Sequence, residues 1–116
     1  MTTDPAGTFT TSLRRLGARP ERRDGLIVYQ VEPVTGRLAG EIVPTAVEVG
    51  ELAMWPIAPP HWLHLPGTVV FVHTNIQPSP MPSWHRHSRQ IADWGSDPDP
   101  AQGWLAHVRG VLGEAQ

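Results

Sequence analysis

The 116-residue chain has the length of one ordinary domain, and its thirteen prolines and eleven glycines exclude a helical bundle because both residues interrupt helices. A net charge of −2 excludes a broad basic surface for nucleic acid or anionic lipid. The absence of cysteine excludes disulfides, thiolate metal ligands and a cysteine nucleophile. We therefore expect one domain built on sheet and loops, with no nucleic-acid or membrane partner.

The amino-terminal segment predicts no targeting signal. Residues 1–16, MTTDPAGTFTTSLRRL, lack the apolar core of a signal peptide, and no run of the chain is apolar for long enough to cross a membrane. We expect a cytoplasmic protein in which residues 1–10 form a flexible terminus and residues 11–116 form the domain. The first predicted element is a short helix that is capped by Thr10 or Thr11 and ends near Gly17.

The segment that follows predicts a β-meander. Leu26–Val31 is a β-branched and aromatic run, and residues 33–36 (PVTG) form a turn signal behind it. The return strand is expected over residues 37–43, with further strands over residues 45–49 and 51–57. The short connections favour antiparallel pairing.

Prolines dominate the middle of the chain. Pro56, Pro59, Pro60 and Pro66 predict a stiff, extended loop that does not pair as a central strand. Residues 68–73 (TVVFVH) predict a buried strand. Residues 74–99 have no periodicity and predict a long loop, of a length that is commonly functional.

The last segment predicts the clearest helix, over residues 99–113. Asp99 is positioned as its cap, Pro100 fits the first helical position, and Gln102 completes a capping-box arrangement. The apolar residues that follow at helical spacing are Ala101, Trp104, Leu105, Val108, Val111 and Leu112. The fold class is therefore predicted as α+β, a small antiparallel sheet of about four strands with this helix packed on it.

Five of the six histidines lie between residues 61 and 87, so a metal site has to be considered. His85 and His87 alternate as strand neighbours do, and His73 or His61 would be the third ligand. No HExxH motif is present, and we predict neither a metal nor another cofactor. Ser88 has no G-x-S-x-G elbow around it, so serine-hydrolase chemistry is not predicted there.

The order of these elements resembles a known family. The proline-aromatic loop PIAPPHWLHLP, the segment TVVFVHTN, the loop SWHRHSRQIADW and the helix GWLAHVRGVL together resemble the ubiquitin-conjugating enzyme fold over roughly residues 25–113. The W-x-R-x-S-R stretch from Trp84 to Arg89, with Trp94 beyond it, is similar to prokaryotic ubiquitin-conjugating-like families. The resemblance implies a role beside a ubiquitin-like protein.

The residues at the expected catalytic position depart from that family. Its catalytic members carry a thioester-forming cysteine in the loop that corresponds here to residues 75–89, and this chain has none. The segment His73-Thr74-Asn75 matches the family's His-Pro-Asn tripeptide only at its first and third residues. The resemblance therefore implies a non-catalytic adaptor. An oxyester on Ser83 or Ser88, with His85 or His87 as base, stays open.

We expect the working surface on the long loop and the proline-aromatic loop beside it. Its predicted partner-binding residues are Trp84, His85, Arg86, His87, Ser88, Arg89, His61 and Trp62. The expected partner is a ubiquitin-like protein or an enzyme of its conjugation pathway, whose carboxylates the arginines would bind. Alternatively, Arg86 and Arg89 hold the loop down by pairing with Asp93, Asp97 or Asp99. The second candidate function is a small metal enzyme that uses the His85/His87 pair.

Overall fold

Six strands form one antiparallel sheet in the computed structural model, which describes residues 4–72 and 75–116. In chain order the elements are α1 (Pro5–Arg15), β1 (Glu21–Arg23), β2 (Leu26–Val31), β3 (Val43–Glu48), a 3-10 turn (Val49–Leu52), β4 (Trp62–Pro66), β5 (Asn75–Pro78), β6 (Trp84–Ser88) and α2 (Pro100–Leu112). The spatial order is β1-β2-β3-β4-β6-β5. This confirms the predicted α+β class. Neither helix is long and apolar enough to cross a membrane.

Strand β2 is buried on both faces of the sheet, which explains its nearly continuous apolar sequence. Ile27 and Tyr29 pack into the main core beneath the helices, whereas Leu26 and Val28 belong to a smaller cluster on the opposite face. Met81 and Trp84 cover that smaller cluster. All six residues of β2 pair with β3. The predicted strand over Leu26–Val31 is confirmed at both ends.

The main core centres on one hydrogen bond between the carboxyl-terminal helix and the sheet. The indole Nε1–H of Trp104 donates to the Tyr29 hydroxyl at 2.7 Å, and both side chains are fully buried. Burial raises the pKa of Tyr29, so its hydroxyl keeps its proton. Phe9 from α1 meets the rings of Tyr29 and Trp55 edge-on, with centroid distances of 6.1 and 4.8 Å. Both helices thus pack on the same face of the sheet.

Helix α2 begins as the sequence predicts. The Asp99 carboxylate accepts a hydrogen bond from the Gln102 N–H at 3.4 Å, and Pro100 occupies the first helical position. The Asp99 N–H donates to the Asp97 carboxylate at 2.8 Å. In the predicted capping box, the side chain of Gln102 would accept this hydrogen bond. Asp99 also pairs with Arg15 at 2.7 Å, and this hydrogen bond lowers the pKa of Asp99.

The flexible terminus predicted over residues 1–10 is wrong for the part that the structure describes. Helix α1 begins at Pro5, and Ala6, Phe9 and Leu13 are buried along one face at helical spacing. The threonine-rich sequence hides this face because threonine has a modest helix propensity. The Thr10 hydroxyl instead bonds the Ala6 carbonyl at 2.8 Å inside the helix. Residues 1–3 lie outside the described part.

The predicted strand over residues 37–43 is wrong, because that segment is mostly turn. Gly36 and Gly40 have φ values of +81° and +82°, a region that favours glycine, and the Gly40 N–H bonds the Pro33 carbonyl at 3.0 Å. The strand expected from residue 45 begins at Val43 and runs through Pro44. The strand expected over residues 51–57 is a 3-10 turn followed by further turns.

The proline-rich segment was expected to stay unpaired, yet β4 lies inside the sheet between β3 and β6. Its proline, Pro66, is the last residue of the strand, where the missing N–H costs least. Residues 68–72, expected as a strand, are irregular and expose Val70 and Val72; residues 73 and 74 lie outside the described part. The loop expected over residues 74–99 contains β5 and β6.

Removing Trp104 should weaken the fold strongly. We expect Trp104→Ala to lower the free energy of unfolding by about 3–5 kcal/mol, because a buried indole leaves a cavity. Tyr29→Phe should cost about 1–3 kcal/mol, because it leaves the Trp104 N–H without its acceptor. Urea denaturation measures both. Val34→Ala, at a residue that is 75% exposed, is the control and should change stability little. A loss below about 1 kcal/mol for Trp104→Ala would contradict this account of the core.

Candidate functional site

Most of the predicted site residues lie on a strand and not on a loop. Strand β6 carries Trp84 to Ser88, and its side chains alternate between the two faces of the sheet. His85 and His87 point to the helix side, where His87 is buried with its ring centroid 5.1 Å from that of Phe71. Trp84, Arg86 and Ser88 point to the opposite side, called here the outer face. The predicted histidine-arginine surface is therefore divided by the sheet.

Arg86 organises the centre of the outer face. Its guanidinium lies 4.5 Å from the centroid of the Trp62 ring, in a cation–π contact across the β4–β6 pair. It donates to the Gln77 side chain on β5 at 2.5 Å and lies 3.7 Å from a Glu48 carboxylate oxygen on β3. Arg86 thus bonds across strands. The predicted pairing of Arg86 with Asp93, Asp97 or Asp99 does not form, and the described partner of Asp99 is Arg15.

Beside Arg86 the outer face holds a serine, a histidine and a glutamate that the sequence analysis missed. His64 Nδ1 lies 2.7 Å from Ser79 Oγ, and His64 Nε2 lies 3.6 Å from Glu48 Oε1. His64 pairs with Ala46 on one side and with Arg86 on the other, so it sits in the interior of the sheet. The LHL sequence of β4 indicates that His64 lies on one face of the sheet and its two leucine neighbours on the other. The sequence does not show which residues contact His64.

The surroundings of His64 favour one tautomer of its ring. Ser79 Oγ accepts from the Met81 N–H at 3.1 Å and has both a proton and a second lone pair left for His64 Nδ1. Because Nε2 faces the Glu48 carboxylate, a neutral imidazole with its proton on Nε2 is favoured, and Nδ1 then accepts the Ser79 hydroxyl proton. The pKa of His64 is lowered to about 4, first by burial and then by the charges of Arg86 and His87. The imidazole is consequently neutral at physiological pH.

At one end of β4 and β6, a groove of about 500 Å³ joins several predicted residues. It is lined by Pro59, Pro60, His61, Ser88, Arg89, Gln90, Ile91 and Trp94. Trp62 pairs with Ser88 in the sheet, and the Ser88 hydroxyl lies 3.2 Å from His61 Nε2. The proline-aromatic segment and the end of β6 therefore meet, as the sequence analysis expected. We call this feature the end groove.

Two side chains of the end groove are held in place by neighbours. Arg89 stacks on Phe71 with 4.7 Å between the guanidinium carbon and the ring centroid, and it donates to the Ser88 carbonyl at 3.2 Å. Trp94 donates its indole N–H to the Pro56 carbonyl at 3.0 Å and contacts Trp55 with 5.4 Å between the ring centroids. The groove thus has one apolar wall and one cationic group in fixed positions.

The described residues do not form the metal site that the metal-enzyme alternative requires. Within residues 4–72 and 75–116, no group of three or more histidine, aspartate or glutamate side chains is placed to hold a metal ion. His87 is buried against Phe71, and His61 contacts Ser88. His73, the other expected third ligand, lies outside the described residues.

One of the two serines considered for an oxyester, Ser88, is separated by the sheet from the histidines proposed as its base. Ser88 lies on the outer face and contacts His61, whereas His85 and His87 point to the opposite side of the sheet. Ser83 is a turn residue with φ +66°, and its carbonyl accepts the Gly67 N–H at 2.9 Å. The serine with a histidine at hydrogen-bonding distance and a carboxylate beyond it is Ser79.

Comparison of the chain with family models, curated proteins and solved structures finds no match. The resemblance to ubiquitin-conjugating-like families therefore stays a prediction from the sequence.

The buried histidines make acid destabilising. An ordinary histidine has a pKa of about 6.5, whereas the pKa values of His64 and His87 are lowered to about 4, mainly by burial. Between these values the unfolded chain binds more protons than the folded chain. Stability is therefore complete above about pH 6.5 and falls as the pH approaches 4, by up to about 1.4 kcal/mol per pH unit for each histidine.

Urea denaturation at several pH values between about 7 and 4.5 measures this dependence. His64→Gln should reduce the slope of stability against pH, since it removes one of the histidines whose pKa is lowered by burial. Val34→Ala is the control because Val34 is exposed and has no titrating group, and it should leave the slope unchanged. Equal slopes in all three proteins would contradict the assignment of His64 as a buried neutral imidazole.

Proposed function

We propose that this chain is a binding module that does not itself catalyse ubiquitin transfer. The module captures the carboxyl-terminal tail of a ubiquitin-like protein or of an enzyme in its conjugation pathway. The observation that carries the proposal is the end groove, which combines prolines, an ordered tryptophan and an arginine. Thioester transfer by the module itself is excluded because the chain has no cysteine. The cytoplasmic location expected from the sequence belongs to the same proposal.

The apolar wall suits an extended peptide. Pro59 and Pro60 offer flat, rigid rings, and Trp94 is fixed by its bond to the Pro56 carbonyl. Because these groups are already ordered, a peptide that docks on them costs little side-chain entropy. Grooves lined by aromatic side chains are a recurring docking site for extended peptides.

The cationic group suits a carboxylate. Arg89 presents a planar guanidinium that can bind both oxygens of a carboxylate, and Phe71 holds its plane. No acidic residue is among the described side chains that line the groove. Burial and then the charge of Arg89 lower the pKa of His107, so the field of this guanidinium reaches helix α2. A peptide that ends in the groove therefore meets a favourable positive potential.

Replacing Arg89 should weaken binding of a free carboxyl terminus. The probe is a purified bacterial ubiquitin-like protein with its intact tail, compared with the same protein lacking its last residues, and the measurement is isothermal titration calorimetry. We expect binding to require the tail and Arg89→Ala to weaken it about tenfold or more, because a hydrogen bond to a charged group is worth about 1.5–3 kcal/mol. Arg22→Ala, on an exposed residue of β1, is the matched control and should bind like the parent.

Thermal melting of the variants separates binding from scaffolding. A role in binding requires Arg89→Ala to melt within a few degrees of the parent while losing affinity. Binding that does not depend on the tail, or an equal loss in Arg89→Ala and Arg22→Ala, would refute the end groove as the carboxylate site.

A further inference from the structure

Ser79, His64 and Glu48 form a chain of groups on the outer face that the binding function does not use. We propose that Ser79 is an acyl-accepting nucleophile, with His64 as its general base and Glu48 as a positioning residue, and that the protein cleaves activated esters or thioesters. The inference is independent of the end groove. It rests on the order of the three groups, which is that of a nucleophile, a base and an orienting carboxylate.

The Ser79 hydroxyl lies within hydrogen-bonding distance of the imidazole, with 2.7 Å between Ser79 Oγ and His64 Nδ1. That distance is within the range expected of a nucleophile and its base. The Glu48 carboxylate beside Nε2 favours the tautomer with its proton on Nε2. In this tautomer Nδ1 carries a lone pair, which is the form needed to accept a proton from serine.

The far side of the imidazole faces a carboxylate. His64 Nε2 is buried and has no hydrogen-bond partner, and the nearest carboxylate oxygen is Glu48 Oε1 at 3.6 Å. A buried N–H without an acceptor is costly and needs a physical explanation, and a role in proton transfer supplies one. Glu48 is 29% exposed and lies close enough to close this distance when His64 gains a charge. Catalytic hydrogen bonds are often long before substrate binds.

The backbone around Ser79 gives the hydroxyl a fixed position. Ser79 lies between Pro78 and Pro80 in the turn between β5 and β6, and its N–H bonds the Trp84 carbonyl at 3.1 Å. Prolines on both sides restrict the backbone. Ser79 is half-buried while His64 is fully buried, an arrangement that exposes the nucleophile and keeps its base dry.

Arg86 supplies a positive charge next to the reacting groups. It pairs with Gln77, two residues before Ser79, so it is a diagonal neighbour of Ser79 on the same face. A cation in this position stabilises the negative charge that develops on an attacked carbonyl oxygen. The same charge disfavours protonated His64, which keeps the base ready at neutral pH.

Hydrolysis of an ester or thioester by these groups needs water as its only co-reactant. Ser79 Oγ bonds to the carbonyl carbon while its proton passes to His64 Nδ1, and the carbonyl electron pair moves to oxygen. The tetrahedral intermediate collapses, the bond to the leaving alkoxide or thiolate breaks, and His64 returns the proton to that leaving group. Water then attacks the acyl-serine, again losing its proton to His64. The carboxylic acid is released, and the Ser79 hydroxyl is restored.

Acylation by p-nitrophenyl acetate tests the proposal on the full chain. In samples quenched with acid before the acyl-serine is hydrolysed, we expect one acetyl group per chain, located on Ser79 by peptide mass mapping, and none at this site in Ser79→Ala. Ser83→Ala is the matched control, since Ser83 is the next serine along the chain and is exposed, and it should be acetylated like the parent. The background is low because the chain has no lysine and no cysteine. Acetylation elsewhere only, or an unchanged acetyl count in Ser79→Ala, would overturn the proposal.

The rate of acylation distinguishes a catalytic cluster from a merely exposed serine. His64→Gln should slow acylation about a hundredfold or more, the usual contribution of a general base. Glu48→Gln should slow it severalfold, and Arg22→Ala should not. If His64→Gln fails to fold, Glu48→Gln decides, because Glu48 is partly exposed and its variant should melt like the parent. Parent-like acylation rates in a folded Glu48→Gln or His64→Gln protein would refute the assignment. No partner protein enters the assay, so its outcome is separate from that of the end groove.

Discussion

The hydrogen bond between Trp104 and Tyr29 fixes the relation of helix α2 to the sheet, and the rest of the structure depends on that relation. The Trp104 and Tyr29 side chains are both buried, so the indole N–H and the phenol hydroxyl lose their hydrogen bonds to water on folding. The hydrogen bond between these two groups compensates for that loss. The bond therefore requires α2 to lie over β2 at one position along its length. Phe9 packs against the same tyrosine and places α1 on the same side. One face of the sheet is thereby filled.

Both helices occupy one face, which also receives His85 and His87, and the remaining polar side chains of β4 and β6 lie on the other face. Alternation along each strand sends Trp62 and His64, with Arg86, to the outer face while Leu63 and Leu65 enter the core. The sheet thus places a neutral imidazole and a guanidinium in its own interior. Two nitrogens of these groups, His64 Nε2 and Arg86 Nε, are buried without hydrogen bonds. A fold optimised for stability alone would place apolar residues here, and this local cost is what points to chemistry on the outer face.

The sequence predicts the elements whose signals are local. Helix α2 follows from Asp99, Pro100 and an apolar face at helical spacing, and β2 follows from its β-branched run. The sequence does not predict β4, because prolines precede it. It does not predict β6 either, because the residues WHRHS show no alternation of apolar and polar side chains. Each of these strands forms because it pairs with the other, and not because of its own propensity. The contact between the proline-aromatic segment and the end of β6 was expected from residue chemistry. The Ser79–His64 contact joins residues 15 apart through the order of three strands, and no local pattern encodes that order.

The two proposed sites lie at opposite ends of the same strand, and this separation limits how they could act together. Ser79 bonds Trp84 at the start of β6, whereas Arg89 and the end groove follow Ser88 at its end. The four residue steps of extended strand from Trp84 to Ser88 span about 13 Å. A carboxylate held by Arg89 is therefore far beyond the roughly 3–3.5 Å at which a serine attacks a carbonyl. An acyl group that reaches Ser79 would have to belong to another part of the same ligand, or to a different ligand.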